Sequence, residues 1–127
     1  MNTTSTQRQA ELFRALMHPA RLAILNMLRD GEACVCHLEA HLGYRQAYLS
    51  QQLAILRTAG LIHDRRVGWN IYYEVSQPEV FTLLDLSLGL VGVTTNDMHA
   101  QKGSPDCPCP KCAGKIEQRL ANDSLSM

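Results

Sequence analysis

Up to Gly60 the apolar positions recur every three or four places, the spacing of one helix face. Residues 6–16 carry a stripe of Leu12, Phe13 and Leu16 and predict a first helix. Pro19 suits the first turn of a second helix over 19–30, because its missing N–H has no helical partner there, and Gly31 is placed to end that helix as a left-handed cap. A short third helix over 34–41 stops at Gly43. A fourth over 45–60 places Leu49, Leu53 and Leu56 at spacings of four and three, and leaves Gln46, Ser50, Gln51 and Arg57 as a polar face. The pattern then changes period. Residues 61–75, LIHDRRVGWNIYYEV, are rich in β-branched and aromatic residues on both sides of Gly68 and predict a hairpin with its turn near Gly68 and Asn70. Pro78 opens a fifth helix over 78–92 that is apolar on nearly every face. A helix apolar all round is normally buried all round, so a second copy of the chain is expected to cover it. From Thr94 onward the sequence is polar and proline-containing, with no clear periodicity before a weak KIEQRLAN.

Composition narrows this picture. The chain has 127 residues, enough for a single core. Its longest apolar stretch, 80–93, is broken by Thr82, Asp85 and Ser87 and falls short of a membrane span. The start, MNTTSTQRQAELF, has no apolar signal core, so a cytoplasmic protein without a membrane partner is expected. The zero net charge hides a mild asymmetry: eight Lys/Arg against six Asp/Glu up to Val75, then four against six. That difference does not by itself announce a nucleic-acid partner; the position of the charges has to do so.

Position does. Two short helices joined by a glycine turn and followed by a hairpin make a mainly α fold with a small β-hairpin wing, a winged helix-turn-helix. A helix fits the major groove of double-stranded DNA, and a wing follows the neighbouring backbone or minor groove. On the fourth helix Gln46 and Gln51 can pair with adenine edges, and Ser50 is a short donor and acceptor. Arg45, Tyr48 and Arg57 can reach phosphates or bases, and the hairpin adds Arg65 and Arg66, with Trp69 near its tip. Residues 1–93 are therefore read as a DNA-binding and dimerisation domain, paired through its first and last helices, and 94–127 as a flexible, Cys-rich tail.

The segments LFRALMHPARLAILNMLRDGE, CVCHLEAHLG, LSQQLAILRTAGLI and RRVGWNIYYEV resemble the ArsR/SmtB family of metal-responsive winged-helix repressors. The resemblance runs over about residues 11–90. It implies an apo homodimer seated on operator DNA with inverted repeats, released when an inducer ion binds. Arg45 stands where a small hydroxyl residue often opens the recognition helix in that family, and Trp69 where the wing commonly carries Arg; both bear on operator sequence.

The five cysteines are the candidate inducer site. In a reducing compartment they are better suited to metal or redox chemistry than to static disulfides. Of two sensor positions common in the family, the hard-ligand site on the last helix is matched here only by Asp85. The other, CVC at the start of the third helix, is matched by Cys34 and Cys36. A third cysteine follows three residues later in arsenic-responsive relatives, where this chain has Glu39. Thiolates select soft or borderline ions such as Cd, Pb, Zn, Cu(I), As(III) or Sb(III), but two of them leave the site incomplete. His37 and His41 share a helix face with Cys34, which a solvated face explains as well; His37 is a secondary candidate donor. The stronger supplier is CPCPKC, with Cys107, Cys109 and Cys112, whose prolines reduce the entropy lost on chelation. The roughly fifteen residues after Gly92 span up to ~50 Å at about 3.3 Å each, enough to reach the third helix of either subunit. An independent tail cluster, and a thiol-redox signal on the same fold, are the alternatives. An enzyme is not indicated: there is no phosphate-cradling glycine loop and no HExxH. Cys109-x-x-Cys112 has redox spacing, but an irregular tail lacks the helix N-terminus that activates a thiolate.

Overall fold

The computed structural model describes residues 3–93; Cys107, Cys109, Cys112 and the rest of the expected tail lie outside the described residues. The order of elements is α1 (Thr3–Leu16), α2 (Pro19–Met27), a 3-10 turn (Leu28–Asp30), β1 (Ala33–Cys34), α3 (Val35–Leu42), α4 (Gln46–Thr58), β2 (Ile62–Val67), β3 (Asn70–Val75) and α5 (Glu79–Leu90). α1 begins at Thr3, three residues before the expected start at residue 6, because polar helical residues leave no periodic trace. Within that stripe Leu16 is buried and Leu12 packs on the core, but Phe13, a helix step to the side, remains 48% exposed.

The exit from α2 differs from expectation. The helix stops at Met27 and tightens into the 3-10 turn, and Gly31 takes φ 121°, ψ −170°. That is a positive φ with an extended ψ, not a left-handed helical cap. The extended conformation leads the chain directly into β1, a strand too short for any periodicity to reveal. Cys34 closes β1 and, at φ −86°, ψ 164°, is the N-cap of α3 rather than its first helical residue. Gly43, at φ 75°, ψ 6°, then makes the left-handed turn between α3 and α4.

The wing has strand order β1-β3-β2, all antiparallel. Its two-residue loop, Gly68–Trp69, has a positive φ at Gly68 alone, as a type II′ hairpin turn requires. The core is built chiefly from Ile24, Leu25, Leu38, Leu49, Leu53 and Leu56, all fully buried. Each contributes about 1.5–3 kcal/mol of burial free energy. One buried polar side chain, Gln52, ties the scaffold together: its Oε1 accepts from Arg21 Nε at 2.8 Å, and Arg21 also donates to the backbone oxygens of Arg14 and Ala15. The end of α1, α2 and α4 are thereby locked in one arrangement.

α5 is not buried all round. Val80 and Leu84 enter the core, while Leu86 (66%) and Leu90 (89%) stand exposed. No helix among the described residues is long and apolar enough to cross a membrane.

Candidate DNA interface and thiol site

α4 divides cleanly. Leu49, Gln52, Leu53 and Leu56 face inward, and Gln46, Ser50, Gln51 and Arg57 are exposed. Arg45 is exposed at the N-cap of α4. Tyr48 is the one expected DNA contact drawn inward. Its hydroxyl is 3.4 Å from His18 Nε2, and its ring is 5.2 Å from that of Tyr44. His18 is itself the N-cap of α2, with Nδ1 accepting from the Ala20 N–H at 3.2 Å. Since Nδ1 accepts, the neutral ring carries its proton on Nε2 and donates to the tyrosine oxygen. Tyr48 thus braces the recognition helix against the start of α2.

In the wing, Arg57 of α4 lies 3.7 Å from Asp64 of β2, an exposed pair that orients more than it stabilises. Arg66 is exposed, and Trp69 at the tip is fully exposed. Arg65 is held. Its Nε donates to Glu32 Oε2 at 3.2 Å, its Nη2 pairs with Glu32 Oε1, and its guanidinium carbon lies 5.7 Å from the centre of the Tyr72 ring. The Glu32 carboxylate, by hydrogen bond and charge, raises the Arg65 pKa above its ordinary value.

The two faces of the wing sheet do different work. Directly paired residues share a face. Ala33, Tyr73, Ile62 and Val75 join the main core. Burial, with a smaller push from Asp64, raises the Tyr73 phenol above the usual tyrosine value. On the opposite face the register sets Cys34 beside Tyr72 and Tyr72 beside Arg65, one row across three strands. Cys34 (3% exposed) and Tyr72 form a second small cluster, against which Cys36 and Ala40 pack. The two thiols therefore converge on one cluster. They can do so because Cys34 is extended, which removes the ~200° separation that a regular helix would impose. Cys34 Sγ accepts the His37 N–H at 3.4 Å, so this sulfur faces the N-terminus of α3.

The donor set suits a soft ion but is unfinished. Among the described residues no group of three or more His, Cys, Asp or Glu side chains is arranged to hold a metal. His37 and His41 lie together on α3, ring centres 4.1 Å apart. Asp85, the one residue of α5 that matches the hard-ligand sensor position, is engaged by Arg29 at 2.7 Å, which also lies over the Phe81 ring. Sequence reasoning missed Glu32, Tyr72 and β1. The readable trace was the alternation in NIYYEV, which assigns Tyr72 and Tyr73 to opposite faces.

Comparison with known proteins fits this geometry. The family model described as "Bacterial regulatory protein, arsR family" matches residues 18–64, from the cap of α2 into the wing. The "Transcriptional repressor SmtB homolog" of Synechocystis sp. is 40% identical over 83 residues, covering 65% of this chain and 63% of that protein, so the chain spans less than two thirds of that relative. HlyU from Vibrio cholerae N16961 has a TM-score of 0.64 at 34% identity, covering 70% of this chain and 97% of that one, and has also been solved as reduced HlyU. The homodimeric winged helix-turn-helix DNA-binding domain Mb0332 from Mycobacterium bovis has a TM-score of 0.63 at 26% identity, covering 72% of this chain and 87% of that one. The polar recognition helix, the glycine turn before it and the three-stranded wing are thus those of a known lineage, and the chain belongs to the ArsR/SmtB family of bacterial transcriptional regulators.

Proposed function

We propose that this chain is a homodimeric repressor that binds palindromic operator DNA and is released when a thiophilic ion is held by Cys34 and Cys36, with Cys107, Cys109 and Cys112 completing the site. The observation that carries the proposal is the placement of the thiol pair: Cys34 is at once a strand residue of the wing sheet and the cap of the helix that braces α4. Gln46, Ser50 and Gln51, with Arg45 and Arg57 at the two ends of the helix, form the major-groove surface. Arg65, Arg66 and Trp69 serve the wing. Tyr48 acts through the position of α4. A second copy covers the exposed apolar residues of α1 and α5, in keeping with the homodimeric relative. Palindromic half-sites hold the two heads about 34–36 Å apart, so a small reorientation of either head costs affinity.

The fit of the donors supports Cd, Pb, Zn, As(III) or Sb(III) over a hard ion, and two thiols alone leave coordination positions for the tail to fill. A bound ion of this class would tie the thiolates together; the chain supplies everything else, including the buried setting of Cys34. The test is operator binding by the reduced full chain, titrated with each ion, for the wild type beside Cys34→Ser and Cys107→Ser/Cys109→Ser. Both variants are expected to keep operator affinity and to lose release. A tail variant that responds to every ion as the wild type does removes the tail from the site, and a wild type that ignores all of them removes the metal signal.

A second reading, thiol oxidation as the signal, is favoured by the convergence of Cys34 and Cys36 on one cluster and by the relative solved specifically in a reduced form. In it two thiols lose two protons and two electrons to a peroxide, which leaves as two waters. Release by peroxide, with none by ions under reducing conditions, selects this reading.

A further inference from the structure

Cys34 cannot change its surroundings alone. Its side chain is 3% exposed and covered by Tyr72, Cys36 and Ala40. An ion bonding this sulfur has to displace what covers it, because a close-packed cluster has no spare volume. β1 is anchored to β3 by two residue pairs, Ala33–Tyr73 and Cys34–Tyr72. Glu32 immediately precedes that strand. The Tyr72 ring and the Glu32 carboxylate are also the two groups that hold Arg65.

We infer that Glu32 and Tyr72 are positioning residues that transmit the state of the thiol pair to Arg65 on the wing. Glu32 engages two of the five N–H donors of the guanidinium, Nε and Nη2, which fixes its plane and leaves donors for a DNA phosphate. The Tyr72 ring supports the same guanidinium. When the cluster around Cys34 is forced to repack, the ring and the carboxylate shift together, and Arg65 loses the orientation that serves DNA. By linkage, operator binding opposes occupation of the thiol pair to the same degree. The wing sheet is then a route for the signal, separate from the packing of α3 on α4. The inference rests on the proposed role of Cys34 and Cys36, and its test separates the two.

The full chain is assayed for operator affinity with and without Cd(II), and Cd(II) binding is followed independently by its thiolate charge-transfer absorption. Glu32 is exposed enough, at 25% of its side chain, that Glu32→Gln leaves the fold intact. This variant is expected to bind Cd(II) as the wild type does. Its apo operator affinity should fall about fivefold, with the salt dependence reduced by about one phosphate contact. Its Cd(II)-induced loss of affinity should shrink from tenfold or more to about threefold or less, within the range of ordinary coupling. Tyr72→Leu should shrink the Cd(II) effect as well, and Tyr72→Phe should restore it. Wild-type salt dependence and a wild-type Cd(II) effect in Glu32→Gln overturn the inference. If Cd(II) has no effect on the wild type, Cd(II) is not the signal, and a metal-free cycle decides the relay: Arg65→Ala should cost less than about a third as much affinity in a Cys34→Ala background, and an equal cost in both backgrounds overturns it.

Discussion

Gln51 and Gln52 are adjacent and chemically identical, yet one is exposed and the other is bonded to Arg21 in the interior. Their substitutions should therefore separate function from stability. Gln51→Ala is expected to weaken operator binding by about 1–3 kcal/mol, with relaxed preference at the contacted base pair, as a lost bidentate base contact does. Fluorescence anisotropy across base-substituted operators measures it. Gln52→Ala should instead lower unfolding free energy in urea by about 1–3 kcal/mol, because the Arg21 guanidinium is left short of an acceptor. Trp69 is the sole tryptophan of the chain and sits at the wing tip, so intrinsic emission reports the wing alone. Quenching at saturating operator is expected; unchanged emission would place the tip off the DNA. The periodicity of the fourth helix already set Gln51 on its polar face; that Gln52, one 100° step away, turns inward to meet Arg21 was decided by the packing of α4 on α2.

Among the elements, the turn between α3 and α4 depends on Gly43. A Cβ there would meet nothing within 4 Å, so the obstacle to substitution is the backbone angle alone. Gly43→Ala should cost about 1–2 kcal/mol, the penalty of a left-handed conformation for an L-residue, seen as a lower thermal midpoint with unaltered operator specificity. The wing offers a pH test. Tyr73 has a raised folded-state pKa, so the folded form retains its proton where the unfolded chain has lost it. Its contribution is complete below the unfolded value and is lost as pH rises from about 10. Denaturant midpoints of the wild type should fall over that range, and those of Tyr73→Phe should fall less. Helices α1 to α5 and the β2–β3 hairpin were readable from their apolar patterning and, for most of them, a glycine or proline boundary. β1 was not, since two residues define no period; it exists because Gly31 leaves α2 in an extended conformation and β3 has an edge to pair with.

For the whole molecule, the exposed apolar residues of α1 and α5 are where a second copy is proposed to sit. Leu90→Glu places a charge on the most exposed leucine of α5, and it should convert a dimer to a monomer in sedimentation while leaving the helical circular dichroism in place. Operator affinity should then fall by roughly 100-fold or more, since two linked heads gain that much from effective concentration. A variant that stays dimeric would move the interface elsewhere.

The sequence by itself determined the winged helix-turn-helix and the polar face of α4, and it supplied the thiol pair on which the proposed soft-ion signal rests. These follow from local periodicity, turn chemistry and donor identity, which neighbours in the chain encode. Only the tertiary structure decided that Cys34 is a wing residue, that Cys34, Tyr72 and Arg65 form one row, and that Glu32 and Arg65 are partners. Those relations tie residues 32–34 to partners thirty or more positions away, and pairing register across a sheet is set by which faces the assembled core leaves to be covered.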